Sequence, residues 1–342
     1  MDRIKSVDVF RVLAIIGVIS AHTTPFKFYG ATEEDLSKYI DIFLNQFVRF
    51  TVPFFFALAG YFWGVRIRKK NAEPFGSAHT MGKRVFFLYI AWCLIYLLPI
   101  DPYLLGRDGI FGSVKFSLEM LQRYPVDFLL QGTKVHLWFL MAMVFAVYIA
   151  GIFIQKGWEK QLLWFGAALY IFGVLGKAYM NTPIGFEAPF DTRNGPFFST
   201  IFFACGYVLS GYEPKTDWLK YGFAIFVAGF IMHFSEMFLL WKFFNASPRH
   251  DYLFGTFLMG MGMTLMALSN HKWFQSESLA TIGMMTLGIY AIHFAFVDFF
   301  NVYDLRYNSP AWEIGLVFIV FGLSVISTYI MSKTPGLKKL VM

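Results

Sequence analysis

The residues of this chain best suited to chemistry are ionisable groups set in apolar surroundings. The first apolar stretch, DVFRVLAIIGVISAHTTPF, carries Arg11 and His22 with ten residues between them. In a helix, eleven steps of about 100° make three turns plus about 20°. The two side chains then share one face, about 16 Å apart along the axis. Asp8 stands one turn before Arg11, in reach of its guanidinium. Charged groups in membrane-type segments are costly and mark functional sites. Periodicity alone leaves two readings open: a structural ion pair at the membrane edge with His22 packing beside it, or a reactive pair.

Further candidates lie downstream. His136 opens HLWFL, Glu236 sits in HFSEMF with His233 one turn earlier, and His293 closes GIYAIH with Tyr290 one turn before it. With the segment directions assigned below, all fall in the outer half of the membrane together with His22. A neutral histidine at that level can draw the proton from a hydroxyl, and Glu236 can orient an imidazole or hold a sugar hydroxyl. The structural alternative for each is a hydrogen bond between helices, which weighs more for Glu236 and His233 than for His22. Arg49 in NQFVRFTVPFF and Arg193 in RNGPFF sit at the outer edge. There they bind an anionic head group or a sugar, or only snorkel. Trp138, two residues after His136, joins them as a candidate contact for the acceptor. The cations Arg66, Arg68, Lys83 and Arg84 fit a topology signal, and equally a dock for a phosphorylated cofactor. Gly60 in ALAGYFW reads as a close helix contact.

These residues need helices that cross a membrane. The chain has 342 residues, of which 57% are hydrophobic and only 15% charged. Soluble domains carry about a quarter charged residues, so the composition points to a polytopic helical membrane protein. Weak period-2 alternation speaks against an outer-membrane barrel. About ten apolar segments are long enough to cross roughly 30 Å of hydrocarbon. They lie near residues 7–26, 42–65, 84–100, 136–155, 161–180, 196–211, 221–241, 253–269, 279–300 and 312–331. The connectors are short, which predicts one all-α bundle over residues 1–342 with no second domain. The densest cationic cluster, RIRKK followed by KR, falls between the second and third segments. With that loop inside, both termini are cytoplasmic. The basic, then apolar, N-terminus is expected to stay as the first helix and not to leave as a signal peptide. The 101–135 loop holds FSLEMLQRYPVDFLL, which predicts a helix in the interface. Little chain follows the tenth segment, so chemistry is expected within the bundle.

The net charge of +7 is loop charge under this reading, and nucleic acid is excluded as a partner. Cys93 and Cys205 both sit in apolar runs, as packing residues and not as a disulfide or metal pair. No zinc spacing, phosphate-binding loop or dinucleotide fingerprint is present, and no metal is expected.

The same residues form a pattern that resembles the acyltransferase-3 family of integral membrane acyltransferases. Its hallmark is an arginine, ten residues and a histidine in the first span, matched by Arg11 and His22. RFTVPFFFALAGYFW is similar to the family's second-span motif, with Ala59 where serine is commoner. KRVFFLYIAW, HLWFL and LGIYAIH resemble motifs of the third, fourth and ninth spans. The nearest likeness is to O-acetyltransferases of the enterobacterial-common-antigen type, through RVLAIIGVISAHTT. The resemblance implies a multi-pass protein of the bacterial cytoplasmic (inner) membrane, with the lipid bilayer as its surroundings. Its acyl donor is acetyl-CoA, supplied from the cytoplasm. Its acceptor is a hydroxyl of a surface glycan or lipid-linked sugar. Arg11, Arg66, Arg68, Lys83 and Arg84 would meet the donor's phosphates. His22 would act as general base, or a covalent acyl-histidine or acyl-Tyr290 relay would carry the group. His136, His293 and Glu236 complete the catalytic candidates. A homo-oligomer is left open. The rival reading is an exporter of a glycan or lipid-linked intermediate that makes no bond. The paired broken spans often seen in transporters are not evident in the sequence.

Overall fold

The structure is a computed structural model, and it describes residues 3–26, 36–307 and 309–341, without the side chains of residues 302 and 304–307. Its helices, in chain order, are α1 (Lys5–Thr23), α2 (Leu36–Phe47), α3 (Thr51–Lys70), α4 (Pro74–Ile95), α5 (Pro102–Asp108), α6 (Gly112–Arg123), α7 (Pro125–Gln131), α8 (Trp138–Gln155), α9 (Glu159–Leu175), α10 (Pro196–Leu209), α11 (Trp218–Phe244), α12 (Phe254–Leu268), α13 (Glu277–Gly283), α14 (Thr286–Tyr307), α15 (Pro310–Lys333) and α16 (Lys338–Val341). Among the described residues there is no strand. The fold is all-α, and it is that of a membrane protein.

Each of the ten apolar segments holds a helix, but they differ in length. Five stretches are long and apolar enough to cross a bilayer: α1, Leu36–Lys70, Val135–Gln155, α11 and α15. A sixth crossing arises if α13 and the first part of α14 act as one span bent by 70°. The remaining segments fall short for physical reasons. α10 has 14 residues and α12 has 15, about 21 and 22 Å of helix. α9 has 17 residues, about 26 Å. α4 opens on a polar, cationic sequence and leaves residues 85–95 as its apolar part.

The expected interfacial helix over FSLEMLQRYPVDFLL is two helices, α6 and α7. They break at Tyr124, whose φ of −137° and ψ of 63° leave the helical region. Pro125 causes this, because its ring crowds the preceding residue out of the α conformation. Leu118, Tyr124, Val126 and Leu129 are exposed along this pair, as an interfacial position requires.

The helices gather into two compact units. The first comprises Met1–Val48, Ile90–Leu137 and Lys272–Met342. In it α1 is buried on most of its faces and packs on α13, α14 and α15. Gly283 lets α13 close onto α1, since a Cβ there would stand 2.1 Å from the Asp8 carbonyl oxygen. Ser276 and Ser309 cap α13 and α15 through their hydroxyls, satisfying donors that a helix start leaves open. Near the chain end, the Trp92 indole donates to the Leu340 carbonyl at 3.0 Å.

The second unit comprises Arg49–Tyr89 and Trp138–His271. Its core joins α3, α8, α9, α10 and α12 around Phe56, Trp63, Phe198, Phe202 and Phe203. Gly60 is a close helix contact, as its motif suggests. A Cβ there would meet the Phe203 carbonyl oxygen at 2.0 Å, and one on Gly206 would meet that of Ala57 at 1.9 Å. α3 and α10 therefore cross backbone to backbone, the means by which helices in lipid gain dispersion contact. Cys93 and Cys205 are both free thiols.

Candidate active site

Three separated segments of the first unit bring His22, His136 and His293 together. His22 lies in the last turn of α1, which ends at Thr24 in the left-handed region (φ 46°). His136 sits in the short 3₁₀ turn Val135–Leu137, and His293 lies on α14. The ring centroids are 5.4 Å apart for His22 and His293 and 5.1 Å apart for His136 and His293. Phe294 fits among them. It stacks on His136 at 4.9 Å with an interplanar angle of 4°, and meets His22 edge-on at 5.1 Å. Tyr96 and Tyr290 close on His136 at 5.3 and 5.4 Å. The shared depth expected of these histidines is thus a direct cluster inside one aromatic cage.

The hydrogen bonds of the cage are mostly to backbone. The Tyr290 hydroxyl donates to the His136 carbonyl, and the Tyr96 hydroxyl donates to the Ala291 carbonyl at 2.8 Å. His293 Nδ1 is 2.6 Å from the Tyr290 carbonyl oxygen, and His136 Nε2 is 3.4 Å from that of Ala291. His136 Nδ1 and His293 Nε2 are buried and have no hydrogen-bond partner among the described residues. Among those residues no group of three or more His, Cys, Asp or Glu side chains is arranged to hold a metal.

The turn that carries His136 is pinned by charges the sequence reading passed over. Lys134 Nζ is 2.7 Å from Asp298 and 3.1 Å from Asp101, and lies 5.7 Å from the centre of the Phe294 ring. The Thr133 hydroxyl donates to the Cys93 carbonyl at 2.9 Å. Asp298, a carboxylate within the apolar run AFVDFF, was the available signal. Arg11 stays one turn from Asp8, with a 2.9 Å ion pair. Asp8 also takes Arg3 at 2.7 Å, and Lys5 pairs with Glu277.

The other candidates lie in the second unit. Glu236 accepts from the Tyr179 hydroxyl at 2.7 Å and from the backbone N–H of Gly255 and Phe254 at 2.7 and 3.3 Å. It caps the start of α12, where a carboxylate is stabilised by open N–H groups. His233, with Nδ1 3.0 Å from the Thr256 hydroxyl, serves the same junction. Both match the interhelical reading. Arg49, Arg193 and Trp138 are brought together. Arg49 and Arg193 lie 3.2 and 3.4 Å from the same Asp251 oxygen, and the Arg193 guanidinium is 5.3 Å from the centre of the Trp138 ring. Lys177 completes the cluster, at 2.7 Å from Asp251 and paired with Asp191. Burial alone would raise the Asp251 carboxyl, but Arg193, Lys177 and Arg49 hold it well below the usual carboxylate range. Burial, and then the Arg49 charge, push the neighbouring His250 imidazole down to about 4.

Of the four loop cations, Arg68 is held by the second unit itself. It donates to the Tyr207 carbonyl at 3.1 Å and the Ser210 hydroxyl at 2.5 Å, and covers the Tyr207 ring at 4.0 Å. Arg66, Lys83 and Arg84 are exposed, and Lys83 lies 6.0 Å from the centre of the Phe87 ring.

A family model described as an acyltransferase domain, of the acyltransferase-3 type, matches residues 4–332, and the chain belongs to this family. With its apolar helices, it is a membrane protein of an acyltransferase family. Curated relatives carry other names. An amino-acid racemase of Enterococcus faecalis is 25% identical over 291 residues, covering 82% of this chain and 38% of that protein. A serine/alanine racemase of Enterococcus gallinarum is 26% identical over 306 residues, covering 84% and 40%. The chain therefore spans about two fifths of the length of these relatives. No solved structure matches it.

Proposed function

We propose that this acyltransferase moves an acetyl group from acetyl-CoA to a hydroxyl of a surface glycan or lipid-linked sugar, in a bacterial cytoplasmic membrane. The observation that carries the reading is the histidine cluster, in which rings from three segments meet with two buried nitrogens unbonded. A histidine of the cluster, His22 by the sequence pattern, draws the acceptor proton. The acceptor oxygen bonds to the thioester carbonyl carbon, the C–S bond breaks, and the thiolate takes up the proton. The Tyr290 hydroxyl already donates to a carbonyl, which disfavours the tyrosine relay.

On this reading the donor enters from the cytoplasmic side, where both termini also lie. Arg11, Arg66, Lys83 and Arg84 meet its phosphates, and Arg68 shapes the surface beside them. Arg49, Arg193 and Trp138 face the acceptor. The chain crosses the membrane about ten times on this reading, with α9, α10 and α12 as short crossings. The likeness to enterobacterial-common-antigen-type enzymes supports acetyl as the acyl group. The racemase names belong to relatives more than twice as long as this chain.

The test uses protein purified in nanodiscs with radiolabelled acetyl-CoA and candidate glycan acceptors. Label moving to the glycan, and lost in His22→Ala, supports the proposal. Transport of the glycan with no release of CoA would instead establish the exporter reading.

A further inference from the structure

The two unbonded nitrogens identify the form of each imidazole. A carbonyl oxygen only accepts, so the ring nitrogen facing it must carry the hydrogen. His293 faces the Tyr290 carbonyl through Nδ1 at 2.6 Å; Nδ1 is therefore the N–H, and Nε2 is a bare lone pair. His136 faces the Ala291 carbonyl through Nε2 at 3.4 Å, which leaves Nδ1 as the bare lone pair. Both are buried, and neither has a donor among the described residues. The rings are 0% and 2% exposed. Phe294, Tyr96 and Tyr290 surround them, but both tyrosine hydroxyls are spent on carbonyls. A buried acceptor left without a donor costs free energy comparable to a lost hydrogen bond, so the site is built to be completed by O–H groups from outside the protein.

We infer that the acceptor is a polyol whose neighbouring hydroxyls donate to His293 Nε2 and His136 Nδ1, with His293 taking the proton of the hydroxyl that is acylated. This rests on the acyltransferase reading and moves the base from His22 to His293. The two rings are neighbours, with centroids 5.1 Å apart, and each hydrogen bond to a hydroxyl would span about 2.8 Å. The acylated oxygen gives its proton to His293 Nε2 and bonds to the carbonyl carbon of the acyl thioester. The C–S bond breaks, and the departing thiolate takes that proton back, so His293 ends neutral. His136 Nδ1 keeps the second hydroxyl bound throughout and acts by positioning. His22, beside His293 at 5.4 Å, then lines the thioester side.

Selective ¹⁵N-histidine labelling of the full chain in nanodiscs tests this without any donor present. His136→Leu and His293→Gln assign the resonances. The expected spectrum shows unprotonated, pyridine-type nitrogens at His293 Nε2 and His136 Nδ1. Both shift on addition of methyl α-glucoside and stay in place with cyclohexanol at equal concentration. Protonation of either nitrogen overturns the inference. So does the absence of a shift with the glucoside, as expected if trapped water fills the site, or an equal response to both alcohols. A second arm measures acetyl transfer from acetyl-CoA. His293→Gln loses on the order of a hundredfold or more. His136→Leu loses on the order of tenfold and no longer prefers the diol over its monodeoxy analogue; a preference that survives in His136→Leu overturns the positioning role. Thermal midpoints of both variants control for folding. A wild type that transfers to no acceptor counts against the acyltransferase reading, while the nitrogen resonances still decide this one.

Discussion

The two units each build a polar cluster, and they build it by opposite rules. In the second unit Arg49, Lys177 and Arg193 converge on Asp251, with Asp191 bridging Lys177 and Arg193. In the first unit the cluster is three imidazoles in an aromatic cage, with His136 Nδ1 and His293 Nε2 left without a partner among the described residues. Ion pairs of the first kind fix loops in place, because removing one partner strands the others in a poor solvent. Open nitrogens of the second kind cost stability, and on the proposed function they are kept for chemistry. Ion pairs in the first unit sit beside the cage, where Lys134 joins Asp298 and Asp101. On the proposed function, the first kind holds the fold and the second waits for a substrate.

The contrast breaks if the histidines prove structural. His22→Ala, which strips the thioester side of the cage, is expected to lower acyl transfer by a factor on the order of 10² through misplacement of the donor, with little change in thermal midpoint; a large loss of stability with activity retained would reverse the assignment. Asp251→Asn should do the opposite. Its three cations lose their common partner, at a cost of about 3 kcal/mol, read as a lower midpoint in nanodiscs with the histidine cage intact. Lys134→Met lies between the two. It strands Asp298 and frees the turn under His136, so both midpoint and turnover should fall, each less than in the preceding variants.

The smallest expected effect sharpens the contrast through pH. His250 has its folded pKa depressed to about 4 by burial and by Arg49, against an unfolded value near 6.5. Its contribution to stability is present above about pH 6.5 and is lost as pH falls toward 4. Asp251 is depressed as well, so its contribution fades only below the ordinary carboxylate range. The midpoint of the wild type should decline across the upper window, and His250→Gln should flatten that decline. A decline unchanged in His250→Gln would assign it to other groups.

Much of this was legible in the sequence. Arg11 and His22 declared themselves by an eleven-residue spacing and by their cost in an apolar run, and Gly60 declared a close crossing that Phe203 completes. His136 and His293 could be matched to His22 only through depth, since periodicity ranks residues along an axis but does not say which helices touch. Trp138, Arg49 and Arg193 were found singly; the meeting of the two arginines at Asp251, and of Arg193 with Trp138, depends on loops, which carry no periodic signal. Lys134 and Asp298 were missed because a lysine at a helix entry resembles an ordinary snorkelling residue. The interfacial helix was drawn too long because the apolar pattern ran through Pro125 without a break. At α10 and α12 the expected segments, 196–211 and 253–269, agree with the helices to within two residues, and both are simply short.

That shortness has a consequence for the surrounding lipid. α10 and α12 begin just after Arg193 and Asp251, at the end where the ionic cluster sits. A bilayer of ordinary thickness exceeds each helix by roughly 8 Å, and the mismatch is relieved by thinning the leaflet locally or by drawing head groups inward. If both cross, as the ten-span proposal has it, the second unit dimples its membrane. Reconstituted into phosphatidylcholines of decreasing acyl-chain length, the protein should gain thermal stability until the bilayer matches these two helices.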